Sequence, residues 1–298
     1  MVQNELTHPT KLGNIEISNN DGIPLVSRHA VYPPELYLPD HTVLSPENSL
    51  ERISSSELPP SSRLLLTRLI EKGRVLDWKH LGIGYALDYS RILNRQLNIE
   101  VCDSLASDQI QLLIDEGVNC ILAPDSSGGP IAAFYGMKYR EATNNNPLFV
   151  RLHKGTSLTM DQPIGVQLAS YTRTEGSKPL LSTITAEVGD FPTDQPILAA
   201  LIEDVFDTGA IGAAVSIITQ QLRKHGVDIQ LISAVAPFSK TYAGNGLVLD
   251  QMGIRHIHTT VEIEGLVPMN VTTRGMIQVA GISEILTLAR TDVNGHIN

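Results

Sequence analysis

Apolar residues along this chain fall into runs whose spacing changes near residue 62. Before that point Pro33-Pro34, Pro39, Pro46, Pro59-Pro60 and Ser54-Ser55-Ser56 interrupt any long periodic segment, which predicts an irregular N-terminal arm or cap over residues 1–60. From Ser62 onward Leu64, Leu65, Leu66, Leu69 and Ile70 repeat at helical spacing up to Gly73. Further helices are expected from Ile83 or Leu87 to Leu97 and from Ser107 to Glu116. Strands then alternate with helices: Asn119–Ala123 and Leu148–Arg151 read as short strands, with a helix from Ile131 to Tyr139 between them. A polar stretch follows from Lys154 to Ser182. After it come a buried strand over Leu198–Ile202, a helix carrying Ala213, Ala214, Ile217, Ile218 and Leu222, and a strand over Ile229–Val235. A helix is expected over Gly246–Met252, strands over Ile254–Val261 and Met276–Ala280, and a short helix over Ile282–Ala289. Strand and helix in alternation imply an α/β fold, a parallel twisted sheet with helices on both faces.

Three junctions in that pattern carry chemistry. The strand at Leu198–Ile202 stops at two adjacent carboxylates, Glu203 and Asp204, followed by Val-Phe-Asp-Thr-Gly-Ala-Ile-Gly and a helix. Carboxylates at a strand end suit vicinal hydroxyls, and the turn from Asp207 to Gly212 can offer backbone N–H groups to a phosphate at the positive end of the helix. Neither G-x-x-x-x-G-K-[ST] nor G-x-G-x-x-G occurs here, which sets aside the P-loop and the dinucleotide fingerprint. The second junction, Pro124-Asp125-Ser126-Ser127-Gly128-Gly129-Pro130, also follows a buried strand and precedes a helix, on the side of an open sheet where ligands bind. At the third, the strand through Phe149 delivers Arg151, His153 and Lys154, three potential cations just beyond the strand end, whose counterpart is a polyanion such as diphosphate.

Composition narrows the partners. The chain has 298 residues, is 42% hydrophobic and carries a net charge of −10, so it has a core of useful size and no basic field for nucleic acid. Two cysteines, Cys102 and Cys120, are too few for a disulfide framework and lack metal-ligand spacing, and the N-terminal residues lack a secretory pattern. A cytoplasmic protein is expected. No apolar run reaches 18 residues, so no membrane association is expected. The histidines form no H-x-x-x-H or H-E-x-x-H set, and no dedicated metal cage is visible.

The acid-acid-x-x-Asp-Thr-Gly turn after an apolar strand resembles the phosphoribosyl diphosphate (PRPP) signature of the type I phosphoribosyltransferases. Asp125-Ser-Ser-Gly-Gly-Pro-Ile-Ala-Ala resembles their diphosphate loop, and Arg151-Leu-His-Lys-Gly-Thr-Ser-Leu-Thr resembles the basic strand end leading into a flexible hood. Ala169-Ser-Tyr-Thr-Arg-Thr-Glu175 is similar to the Ser-Tyr segment of that hood. The layout is closest to the xanthine and adenine (purine) enzymes and covers about Ser62 to Val261. It implies a phosphoribosyltransferase-like α/β domain over 61–261 with a hood loop, flanked by the arm at 1–60 and an extension at 262–298.

The resemblance assigns roles residue by residue. Glu203 and Asp204 are expected to hold the ribose hydroxyls of PRPP, and Asp207, Thr208, Gly209, Ala210 and Ile211 its 5′-phosphate. Asp125, Ser126, Ser127, Gly128 and Gly129 form the expected diphosphate loop. Asp207, Arg151 and Lys154 are the catalytic candidates, Asp207 as acceptor of the proton leaving the base. For base binding the resemblance points to Asn94 with Leu81 or Leu87, and to Phe238 and Lys240. Where the family prefers a hydroxyl this chain has Ile211, and where the xanthine enzymes place Glu-Lys it has Ala236-Pro237-Phe238-Ser239-Lys240. The implied activity is transfer of 5-phosphoribose from PRPP to a purine-like base with release of diphosphate, with Mg²⁺ held mainly by PRPP oxygens, in a homodimer. A PRPP-binding regulator without turnover and a transferase acting on a non-purine acceptor are the competing expectations.

Overall fold

A run buried at five of six positions, Ile197–Ile202, forms a strand covered on both faces. The computed structural model describes residues 9–29, 41–77, 85–125, 128–156, 159–175, 178–269 and 274–289. In chain order the elements begin with β1 (Thr10–Leu12), β2 (Ile15–Asn20), β3 (Ile23–Arg28), α1 (Pro46–Ser54), α2 (Pro60–Lys72), β4 (Arg74–Asp77), β5 (Tyr85–Asp88), α3 (Ser90–Leu93) and α4 (Ile99–Asp115). There follow β6 (Cys120–Pro124), α5 (Gly128–Thr143), β7 (Leu148–Lys154), β8 (Pro163–Glu175), β9 (Lys178–Glu187), β10 (Ile197–Ile202) and β11 (Val205–Phe206). The last are α6 (Ala210–Lys224), β12 (Ile229–Lys240), α7 (Asn245–Gln251), β13 (His256–Met269), β14 (Arg274–Val279) and β15 (Leu286–Thr287).

The chain divides into two units. The first comprises Met1–His29, Gln109–Ala236 and Gly244–His258. Its sheet runs β1-β2-β3-β8-β9-β7-β6-β10-β12. The four strands β7, β6, β10 and β12 are mutually parallel, and α5 packs on β6 and β10. The remainder is antiparallel except for the β3–β8 contact, so the sheet is mixed rather than parallel throughout. Ala213, Ala214, Ile217, Ile218 and Leu222 of α6 join Leu201, Leu231 and Val166 in one apolar core. At the end of α4, Glu116 accepts from Ser233 Oγ (2.5 Å) and meets His258 Nε2 (2.7 Å), tying the helix to two strands.

Two expectations for this unit change. The polar stretch 154–182 is largely a long antiparallel hairpin, β8 and β9, with Ile164↔Ala186 and Val166↔Ile184 in register. Ile164, Val166 and Leu168 are buried at every second position, a period-two signal outweighed by the polar composition around it. The N-terminal arm is likewise ordered where described: β1, β2 and β3 form an antiparallel set that extends the sheet. Pro33, Pro34 and Pro39 lie outside the described residues, while Pro46 and Pro60 open helices, where a missing N–H costs nothing.

The second unit comprises Ala30–Asp108, Pro237–Ala243 and Thr259–Asn298. Its core gathers Ile53, Leu65, Leu66, Leu69, Ile70 and Val75. The helix expected up to Leu97 is instead the strand β5 followed by the short α3. Arg74 Nε donates to Asp88 Oδ2 (2.7 Å) across the β4–β5 pair, and Asp88 Oδ1 also accepts from Ser90 N–H and O–H, ending the strand and starting the turn. Burial alone would raise the Asp88 pKa, but the bonds from Ser90 and Arg74 outweigh it and hold the carboxyl below its ordinary range. The helix expected from Ser107 begins eight residues earlier, at Ile99, where Asn98 Oδ1 accepts from Val101 N–H (3.1 Å). The helix expected over Ile282–Ala289 is a turn at Gly281 (φ +80°) leading into β15, which pairs with β14.

Candidate functional site

The first unit positions the sugar-phosphate candidates. Between its parallel neighbours β6 and β12, β10 ends at Ile202, and Glu203 N–H donates to Val235 O (2.9 Å), extending the strand pairing by one residue. Glu203 and Asp204 stand at the carboxyl end of the parallel strands, each 3% exposed, and each has protein partners. The chain then turns through β11 into Gly209, which adopts the left-handed region (φ +79°) and caps α6 with no side-chain hydrogen bond. Glycine at the cap supplies no side-chain acceptor of its own to the first amides of α6, and the helix dipole adds positive potential there. Ala210 is buried as the first residue of that helix.

Thr208 is 3% exposed, and its Oγ1 has no hydrogen-bond partner among the described residues. A buried hydroxyl without a partner costs about 1–3 kcal/mol, so it marks a donor that a ligand would satisfy. Ile211 packs partly buried against the apolar core, so it offers this turn its backbone amide alone.

The second junction sits directly beside the first. All of β6 is buried, Asp125 N–H donates to Leu152 O (2.9 Å), and the chain enters α5 at Gly128. A Cβ on Gly128 would lie 2.1 Å from Ile202 O and 3.1 Å from Glu203 Cα. Only glycine permits this backbone approach, which sets the start of α5 against the acidic strand end. Gly129 follows it in the same helix. Ser126 and Ser127, and Leu81 among the base candidates, lie outside the described residues.

The three candidate cations lie within β7 rather than beyond its end, and strand alternation separates them. Val150 and Leu152 face the core, so Arg151 and His153 share the opposite face, while Lys154 follows the core-facing parity at an exposed strand end. Arg151 Nη2 donates to Asp125 Oδ1, and His153 Nδ1 lies 3.9 Å from Asp125 Oδ2. The structure thus joins the diphosphate-loop and basic-strand candidates through one carboxylate. Thiol chemistry does not belong here: burial pushes Cys120 on β6 up to about 12.

One buried residue near this site was not among the expectations. Asn245 of α7 donates through Nδ2 to Phe206 O (3.0 Å) and Asp207 O (3.1 Å), bracing the turn from behind. Its neighbour Val248 closes on Gly209, where an added Cβ would come within 3.0 Å of it. Asn245 lies 38 residues from Asp207 in sequence, and no local pattern links them.

The base-side candidates belong to the second unit. Leu87 is buried on β5, and Asn94 is exposed as the residue ending α3. Phe238 is fully buried with its ring 5.3 Å from that of Tyr89 at 41°, and Lys240 is buried as well. Tyr89, which already covers one side of Phe238, was not anticipated.

With this geometry in place, similarity to solved structures decides the architecture. An adenine phosphoribosyltransferase from Trypanosoma brucei, solved with AMP, pyrophosphate and ribose-5-phosphate, superposes with a TM-score of 0.50 at 13% identity over 68% of this chain and 81% of that one. This chain has the type I phosphoribosyltransferase fold. The enzyme from Giardia lamblia, solved with 9-deazaadenine, gives a TM-score of 0.48 at 15% identity, covering 66% of this chain and 97% of its own. No protein-family model and no curated protein matches the sequence at a significant level. In the phosphoribosyltransferase fold found here, the mixed sheet carries its two glycine turns at the ends of adjacent parallel strands, β6 and β10. Among the described residues no helix is long and apolar enough to cross a membrane.

Proposed function

We propose that this chain is a PRPP-dependent phosphoribosyltransferase that moves 5-phosphoribose to a purine-like base and releases diphosphate. The observation that supports it most is the pairing of the Gly128 turn with the acidic end of β10, followed in the chain by a buried Thr208 hydroxyl that lacks a partner among the described residues. Glu203 and Asp204 accept from the ribose hydroxyls, which replace their present protein partners. The amides from Thr208 to Ile211 and the Thr208 hydroxyl receive the 5′-phosphate at the α6 N-terminus. Asp125, Gly128 and Gly129 take the diphosphate, with Arg151 shifting from Asp125 to the leaving group and Lys154 adding charge.

A base nitrogen attacks ribose C1′, the bond from C1′ to the diphosphate oxygen breaks, and its electron pair leaves with diphosphate. Asp207 accepts the proton from the attacking nitrogen. General-base help of this kind is worth about 10²- to 10⁴-fold. The site's carboxylates are hard oxygen donors of the kind Mg²⁺ takes while it keeps most of its water, and so they fit that ion when it arrives with PRPP. Mg²⁺ bound in that way supplies positive charge to the departing diphosphate. The assembly is a homodimer in the cytoplasm, and its ligands are PRPP and a nucleobase.

Burial of Phe238 beneath Tyr89 favours a second reading, a PRPP-binding regulator without turnover, because that ring offers no open face to a base. One assay separates the two. The protein is incubated with PRPP, Mg²⁺ and a panel of purines and other acceptors, and diphosphate is measured. Release with a purine supports the transferase, release only with another acceptor moves the assignment to a non-purine substrate, and PRPP binding without release leaves the regulator.

A further inference from the structure

We propose that Asn245 is the positioning residue of the sugar-phosphate turn, holding its amides outward for the 5′-phosphate; this rests on the transferase reading above. In a trans peptide the C=O of one residue and the N–H of the next point in opposite directions. Asn245 Nδ2 draws Phe206 O and Asp207 O toward α7 at 3.0 and 3.1 Å, so the N–H groups of Asp207 and Thr208 point away from α7. Asn245 itself is 3% exposed. Carbonyls held this way, that of Phe206 buried and that of Asp207 partly so, have little freedom to rotate, and the turn is preorganised before any anion arrives.

Other contacts on α7 agree with this role. Gly209, in the left-handed region, has Val248 Cβ and Asn245 O within 3.0 and 3.2 Å of where a Cβ would sit, so the helix also fixes the residue that opens α6. Through the same Val248 side chain and through Gly244, α7 also meets the N-terminal strands. A Cβ on Gly13 (φ +54°) would be 3.4 Å from Val248 Cγ2, and one on Gly244 would be 3.4 Å from Asn14 Nδ2. The tight turn between β1 and β2 thus backs the helix that backs the phosphate turn, which gives the N-terminal strands a part in the site without contact to substrate.

The test uses the full chain and two probe ligands, ribose 5-phosphate and inorganic diphosphate, titrated calorimetrically against the unsubstituted protein, Asn245→Leu and Asn245→Ser. Circular dichroism fixes a temperature at which all three are folded. Loss of both donors in Asn245→Leu is expected to weaken ribose 5-phosphate binding by about tenfold to a hundredfold. Asn245→Ser, which keeps one donor, falls between. If Asn245→Leu does not fold, the serine variant carries the test. Diphosphate affinity is expected to stay as in the unsubstituted protein, because its turn is held by Gly128. Equal losses for both ligands, or no loss for ribose 5-phosphate, would overturn the inference alone. Failure of the unsubstituted chain to bind ribose 5-phosphate would overturn the transferase reading and with it this role.

Discussion

The turns after β6 and β10 leave adjacent parallel strands of one sheet, yet they are held in different ways. The β10 turn is set from inside, by a buried amide on Asn245, a left-handed Gly209 and a core-facing Ile211. The β6 turn is set by one backbone approach at Gly128 and by charges on the surface, with Arg151 joined to Asp125 while its side chain remains 60% exposed. Rigid support suits a group that keeps one place throughout the reaction, as a 5′-phosphate does. Exposed, exchangeable pairing suits a group that must arrive and depart, as diphosphate does.

The strongest challenge to this contrast is Gly128→Ala. A Cβ there meets Ile202 O at 2.1 Å, a backbone atom that has no flexible end to move. Overpacking of this kind costs about 1–3 kcal/mol or more, so thermal denaturation should show a Tm lower by several degrees, with diphosphate binding lost. An unchanged Tm would mean that the turn is not seated on β10.

A sharper probe, with a smaller effect, is Thr208→Val. Replacing a buried hydroxyl that has no partner by an isosteric apolar group is close to neutral for stability. Ribose 5-phosphate affinity should nevertheless drop by roughly tenfold, the worth of one hydrogen bond to a charged group. A loss of stability with unchanged affinity would show that the hydroxyl serves the fold and not a ligand.

Arg151→Ala is also expected to change stability little. Exposed ion pairs are worth about 0–1 kcal/mol, so denaturant titration should barely move. Turnover in the diphosphate-release assay should fall more than PRPP affinity does, because the cation acts on charge that develops as diphosphate leaves. An equal fall in both would make Arg151 a ground-state binder.

The same contrast explains what was readable from sequence. The strand, turn and helix of the β10 junction were legible because they lie within one short stretch and follow from local order. Its brace was not, because Asn245 reaches Asp207 across 38 residues and sits in an ordinary helix start. The β8–β9 hairpin was obscured because its inward residues, Ile164, Val166 and Leu168, alternate with Gly165 and Gln167 in a stretch of polar composition. In the second unit the helix expected up to Leu97 failed for a long-range reason. Arg74 pairs with Asp88 from 14 residues away, and that contact favours a strand where local periodicity favoured a helix. The position of Phe238 was legible but its burial was not, since Tyr89, which covers it, is distant in sequence.

Calorimetric titration of PRPP with Mg²⁺ into the unsubstituted chain and into Asp204→Asn addresses the central claim most directly. The account predicts saturable binding at one site per chain in the first case and its loss in the second, with the variant still folded by circular dichroism. Absence of PRPP binding to the unsubstituted chain, or equal affinity in the variant, would contradict it.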